Sequence, residues 1–134
     1  MGAWDIGPFE NDDAADWLFE LEDSSDTSAI AEALRAVTGI GEEYLETLES
    51  SNAIAAAEIV AALRAHPTDK LPDSAQAWIE ENQELDVTSL VPTALSAIKR
   101  VRTDSELKEV WDESDDAEKW YATLDDLTAR LKAQ

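Results

Sequence analysis

The stretch from Asn52 to Arg64 reads Asn-Ala-Ile-Ala-Ala-Ala-Glu-Ile-Val-Ala-Ala-Leu-Arg, apolar on every side apart from Glu58 between its ends. A helix without a polar face belongs at the centre of a fold, with other elements wrapped around it. The rest of the chain has to supply that wrapping, and its apolar residues recur at helical spacing. One stripe is Ala14, Trp17, Leu18 and Leu21; a second is Ile30, Ala33, Leu34 and Val37. Shorter segments hold Ala77 with Trp78, and Leu107 with Val110 and Trp111. A longer one carries Leu90, Val91, Ala94, Leu95, Ile98 and Val101, and the last carries Trp120, Leu124, Leu127 and Leu131 at steps of four, three and four. No convincing alternating strand is present. The pattern predicts an all-α fold: a single compact irregular bundle of six or seven helices over residues 1–134, with a structured N-terminal arm.

Punctuation sets the expected boundaries. Asn11 is a good N-cap, and Asp12, Asp13 and Asp16 place negative charge on the first turns, where the helix dipole favours it. Asp26 or Thr27 opens the second helix, and Gly39 stands where a left-handed C-terminal cap belongs. Residues 40–50 allow either a short helical turn through Tyr44, Leu45 and Leu48 or a loop. Pro67 stops the central helix, Asp73 or Ser74 opens the next, and Thr88 opens another that tolerates Pro92 near its start. Thr103 and Glu106 have capping-box spacing. The acidic run Asp112 to Asp116 lies between two periodic segments and reads as a corner between helices.

At 134 residues with 44% hydrophobic composition, the chain is sized for one domain that buries roughly two thirds of its unfolded surface. It has no cysteine, which excludes disulfides, thiolate metal sites and a cysteine nucleophile. No run approaches a membrane span, and the N-terminus has neither the cationic start nor the apolar stretch of a signal peptide, so the expected location is the cytoplasm. Asp and Glu number 31 against 10 Lys and Arg, a net charge of −21 that repels nucleic acid phosphates and anionic lipid.

Motifs for chemistry are sparse. His66 is the sole histidine, so no site can use a His pair, and Leu63 occupies the place that a Glu-x-x-His motif needs for its glutamate. Counting from Asp112, an EF-hand loop would need Gly at the position of Ala117 and Glu at that of Thr123. Gly39-Ile40-Gly41 follows no strand and matches no phosphate-binding motif. No metal ligand set and no cofactor is expected. The basic triplet Lys99, Arg100 and Arg102 sits at a helix C-terminus, where cations belong for electrostatic reasons.

Glu58 is the sharpest feature, because an ionised, unpaired carboxylate among alanines would cost several kcal/mol. It must find a cation, an indole or a backbone donor, take up a proton, or face water. It is read first as a structural anchor, and alternatively as a tuned acid/base or ligand group. Of the five Trp, Trp4 alone lies outside a predicted helix; with Phe9 it is the aromatic pair placed to line a surface beside Asn11, Asp12 and Asp13. The arm supplies an indole and several amides, so it is expected to dock near Glu58.

The run Gly2-Ala3-Trp4-Asp5-Ile6-Gly7-Pro8-Phe9-Glu10-Asn11-Asp12-Asp13-Ala14-Ala15-Asp16-Trp17 closely resembles the opening signature of a bacterial family of small proteins known as a domain of unknown function. Ala56 to Leu63 resembles that family's central alanine-rich helix, and Ser105-Glu106-Leu107 with Trp111, Trp120 and Leu131 resembles its C-terminal part. Asp5 stands where the family usually has another glycine. The resemblance implies an all-helical bacterial protein and supplies no activity.

The leading functional expectation is therefore a non-enzymatic cytoplasmic interaction protein whose acidic surface binds a basic protein partner, antitoxin-like or immunity-like. Its candidate binding residues are Trp4, Phe9, Asn11, Asp12, Asp13, Asp16 and Glu58. The alternative is a small-ligand or divalent-cation-binding protein, or an enzyme, that uses Glu58 with the N-terminal carboxylates. A third reading takes the acidity as solubility alone.

Overall fold

The computed structural model describes residues 12–69 and 71–133. These form seven α-helices and no strand: α1 (Asp12–Glu22), α2 (Ser28–Thr38), α3 (Thr47–Leu63), α4 (Asp73–Glu81), α5 (Val91–Thr103), α6 (Glu106–Asp112) and α7 (Ala117–Lys132). A single 3-10 turn, Thr88–Leu90, leads into α5.

The apolar helix is central, as its composition requires. α3 touches each of the other six helices, and Ala53, Ala55, Ala56, Ala57 and Ala61 are fully buried. Methyl side chains let neighbours approach on every side, and the surrounding helices fill the remaining volume with Leu, Ile, Val and Trp. The inward stripes of α1, α2 and α7 are buried as the spacing predicts, and so are the four described tryptophans, Trp17, Trp78, Trp111 and Trp120. Trp111 and Trp120 stack with ring centroids 6.3 Å apart, joining α6 to α7. The Trp78 indole donates to the Ser24 carbonyl at 2.8 Å, tying α4 to the α1–α2 link.

Several local expectations need correction. α3 begins at Thr47, five residues before Asn52, because its first turn is anchored by another helix: the Thr47 N–H donates to the Glu106 carboxylate at 3.0 Å. The Glu106 N–H in turn donates to the Leu45 carbonyl at 2.8 Å, and Leu45 is fully buried. Residues 40–46 are thus a packed loop leading into α3. Glu106 is engaged there, and the cap of α6 is Ser105, whose Oγ accepts from the Lys108 N–H at 3.0 Å, while Thr103 bonds back to Lys99 within α5. Gly39 is right-handed, at φ −92° and ψ 0°, and the left-handed glycine is Gly41 at φ 67°. In α4 the buried partners of Trp78 are Ala75 and Ile79, with Ala77 exposed; in α5 Ala97 is buried, while Val91 and Leu95 are only half-buried, as is Val110 in α6.

α3 also ends before Pro67. Ala65 takes φ 70°, the Ala65 N–H donates to the Ala62 carbonyl at 3.0 Å, and the His66 N–H donates to the Ala61 carbonyl at 2.9 Å. These paired bonds make a Schellman cap, closed by an alanine where glycine is the usual residue.

Candidate functional site

Glu58 lies in the middle of α3 and is only 2% exposed. Its cation comes from the last helix. Arg130 of α7 donates from Nη1 to Glu58 Oε1 at 2.8 Å and from Nη2 to Oε2 at 2.9 Å, the two-pronged geometry for which guanidinium is suited. The guanidinium is itself held by two further groups: Nε donates to Asp126 at 2.8 Å, and Nη1 reaches the His66 carbonyl at 3.2 Å. Thus the carboxylate on α3, the base of α7 and the cap that ends α3 form one polar network in the core. Burial pushes the Glu58 carboxyl above its usual range, a rise that the bonds and charge of Arg130 oppose and the charge of Asp126 reinforces.

The structure separates Glu58 from the N-terminal carboxylates. The charges acting on Glu58 are those of Arg130 and Asp126, whereas those acting on Asp13 are Asp16, Asp12 and Glu49. Glu49 precedes Glu58 by nine positions on α3, about 13 Å at 1.5 Å per residue. Asp12 and Asp16 are exposed and Asp13 is half-buried. Burial and its three acidic neighbours together raise the Asp13 carboxyl above its usual range. Trp4, Phe9 and Asn11, and with them the docking of the arm on Glu58, lie outside the described residues. Among the described residues no group of three His, Cys, Asp or Glu side chains is gathered closely enough to hold a metal ion.

The cations show an asymmetry that the helix-by-helix reading of the acidity missed. Residues 1–63 hold 15 of the 31 carboxylates and, of the ten cations, only Arg35, so this part carries −14 of the total −21. α1 alone has five carboxylates and no cation. The signal was present in the sequence, in the placement of the Lys and Arg rather than of the Asp and Glu. In the second half the basic residues are largely spent within the fold. Arg100 donates to the Gly41, Glu43 and Asp104 carbonyls at 2.6, 2.8 and 2.9 Å, pinning the loop before α3. Arg102 pairs with Asp125 at 2.9 Å and lies 4.9 Å over the Tyr121 ring. Lys108 pairs with Asp112, whose other oxygen accepts from the Tyr121 hydroxyl.

A family model described as Domain of unknown function (DUF4259) matches residues 2–123. The chain belongs to this family. The match takes in residues 2–11, α1 to α6 and the start of α7, so Glu58 falls inside the matched span and its partner Arg130 falls beyond it. No curated protein and no solved structure matches the chain. Among the described residues no helix is long and apolar enough to cross a membrane.

Proposed function

We propose that the protein is a non-enzymatic acidic interaction protein of the bacterial cytoplasm, and that it binds a basic protein partner through the outward face of α1, in the manner of an antitoxin or immunity protein. The observation that carries this reading is the charge asymmetry: α1 turns Asp12, Asp16 and Glu20 to solvent with no cation on the helix. Uncompensated like charges on a rigid helix strain one another, and a cationic partner relieves that strain while its approach is accelerated by the field. Asp13 fits the same reading: after burial, the charges of Asp16, Asp12 and Glu49 add to the rise of its carboxyl. The role of Glu58 is that of a scaffold, supported by its two-pronged bond to the half-buried Arg130.

The test is affinity capture from a lysate of the source cells at low and high salt, followed by titration of the purified partner. A specific partner is expected to survive moderate salt and to lose affinity when Asp12 and Asp16 become Asn, but not when Glu80 and Glu81 on α4 become Gln. Retention of nothing but assorted basic proteins, released together as salt rises, refutes the proposal.

A further inference from the structure

Beside the acidic face of α1 a groove of about 210 Å³ runs between α1, α2 and the first turns of α3. Its apolar part is made by Trp17, Ala33, Ala36 and Leu48, and its rim carries one carboxylate from each helix: Glu20, Glu32 and Glu49. No cation lines it. Leu48 is 48% exposed, one of three large apolar side chains left in solvent among the described residues. Asn52 completes the wall, and its Oδ1 is buried with no hydrogen-bond partner. An acceptor in that state has given up its water without a replacement until a donor reaches it.

We propose that this groove receives an arginine side chain from the basic partner. The inference rests on the function proposed above and names its point of contact. Three properties select the occupant. The three rim carboxylates do not form a group that could hold a metal ion, whereas a guanidinium carries five N–H donors that meet acceptors from several directions. The floor is apolar, which suits an aliphatic stem that buries its length while its charged head stays among polar groups. Trp17 in the wall adds a ring of the kind that attracts cations, arginine most often. A second copy of this chain is disfavoured as the occupant, because two bodies of net charge −21 repel.

The probe is a hexa-arginine peptide, with hexa-lysine beside it, titrated calorimetrically against the full chain at physiological salt. Two changes act on the groove by different means. Ala36→Leu fills it at an exposed helix position without altering charge, and Glu32→Gln with Glu49→Gln removes two rim charges. A control pair, Glu80→Gln with Glu81→Gln, removes the same charge from α4. Hexa-arginine is expected to bind more tightly than hexa-lysine, and both groove variants are expected to weaken it at least tenfold while the control pair changes it less than threefold. Far-ultraviolet circular dichroism and the urea midpoint report whether each variant keeps its fold; should Ala36→Leu fail to fold, Ala29→Leu on the same wall replaces it. Equal binding of the two peptides, or binding untouched by the filled groove, overturns the groove while leaving the acidic face as the partner's surface. Failure of both peptides to bind overturns the groove, while the proposed function stands or falls separately on the lysate capture and its Asp12 and Asp16 variants.

Discussion

Removing the carboxylate of Glu58 leaves the half-buried Arg130 with Asp126 but without its buried partner, and the size of the loss can be worked out in advance. Breaking a buried pair from one side costs about 3–5 kcal/mol. Here the arginine side chain keeps 17% exposure and retains Asp126 and the His66 carbonyl, so Glu58→Gln belongs at the lower end, about 3 kcal/mol. Glu58→Ala adds a small cavity among alanines and falls near 4 kcal/mol by the same reasoning. Arg130→Met strands the carboxylate instead, with a similar penalty. Replacing both, Glu58→Leu with Arg130→Met, removes the desolvated charges together and should return to within about 1 kcal/mol of the parent, because hydrophobic replacements of buried pairs are often neutral. With Glu58→Leu and Arg130→Met as the two single changes of the cycle, each costing about as much as the variants above, the expected coupling energy is above about 2 kcal/mol. Urea unfolding followed by Trp fluorescence reads it directly: with a slope of roughly 2 kcal/mol per molar, each single change moves the midpoint by over 1 M and the double change restores most of it. Losses that simply add would show that the pair is an incidental contact and that α3 tolerates its carboxylate for another reason.

Stability should also depend on pH in a definite direction. Asp13 has a carboxyl raised above its ordinary 3.8, by burial first and then by its acidic neighbours, so the native state holds that proton more readily than the unfolded chain, and its contribution grows as pH falls from neutral through that window. Asp26, Asp86 and Asp112 are lowered by hydrogen bonds, so the stability they confer is present above 3.8 and lost as pH falls below it. The melting temperature at low salt is expected to rise from pH 7 toward 5 and to fall below pH 4; a steady decline from 7 to 5 would sink the account of a self-repelling surface. Ala65→Gly is expected to raise stability by about 0.5–1 kcal/mol, since a left-handed alanine costs roughly 1–2 kcal/mol and glycine returns part of that through the unfolded chain. A lowered urea midpoint for Ala65→Gly would refute the strain assigned to that cap.

What the sequence showed and what it concealed divide along the range of the interactions. Stripes such as Ile30, Ala33, Leu34 and Val37 depend only on the helical repeat and on which face meets the core, so spacing located them. The start of α3 depends on a carboxylate 59 positions away, and a local reading could do no better than leave residues 40–50 open. Thr103 has capping-box spacing to Glu106, but the backbone chose Ser105, whose Oγ accepts from the Lys108 N–H and donates to the Val101 carbonyl. Glu58 was legible as a residue in need of a partner, but the identity of Arg130, 72 positions on, was not. The groove was invisible for a similar reason: Glu20, Glu32 and Glu49 sit on three helices, and nothing in their spacing says that those helices converge.

The hub position of α3 governs how the molecule can come apart. Because all six other helices rest on it, no peripheral helix can detach without exposing alanine methyls and aliphatic side chains on the hub, and α3 itself cannot open unless every neighbour has left. Local openings are confined to the ends of helices and the connecting loops, and the amides in the middle of α3 exchange with solvent only through loss of the whole fold. Cooperativity of that kind suits a body with net charge −21. Repulsion acts most on α1, with five carboxylates and no cation, yet that helix has no partly unfolded state of low free energy in which to relax, so the strain stays at the surface, available to whatever cation arrives.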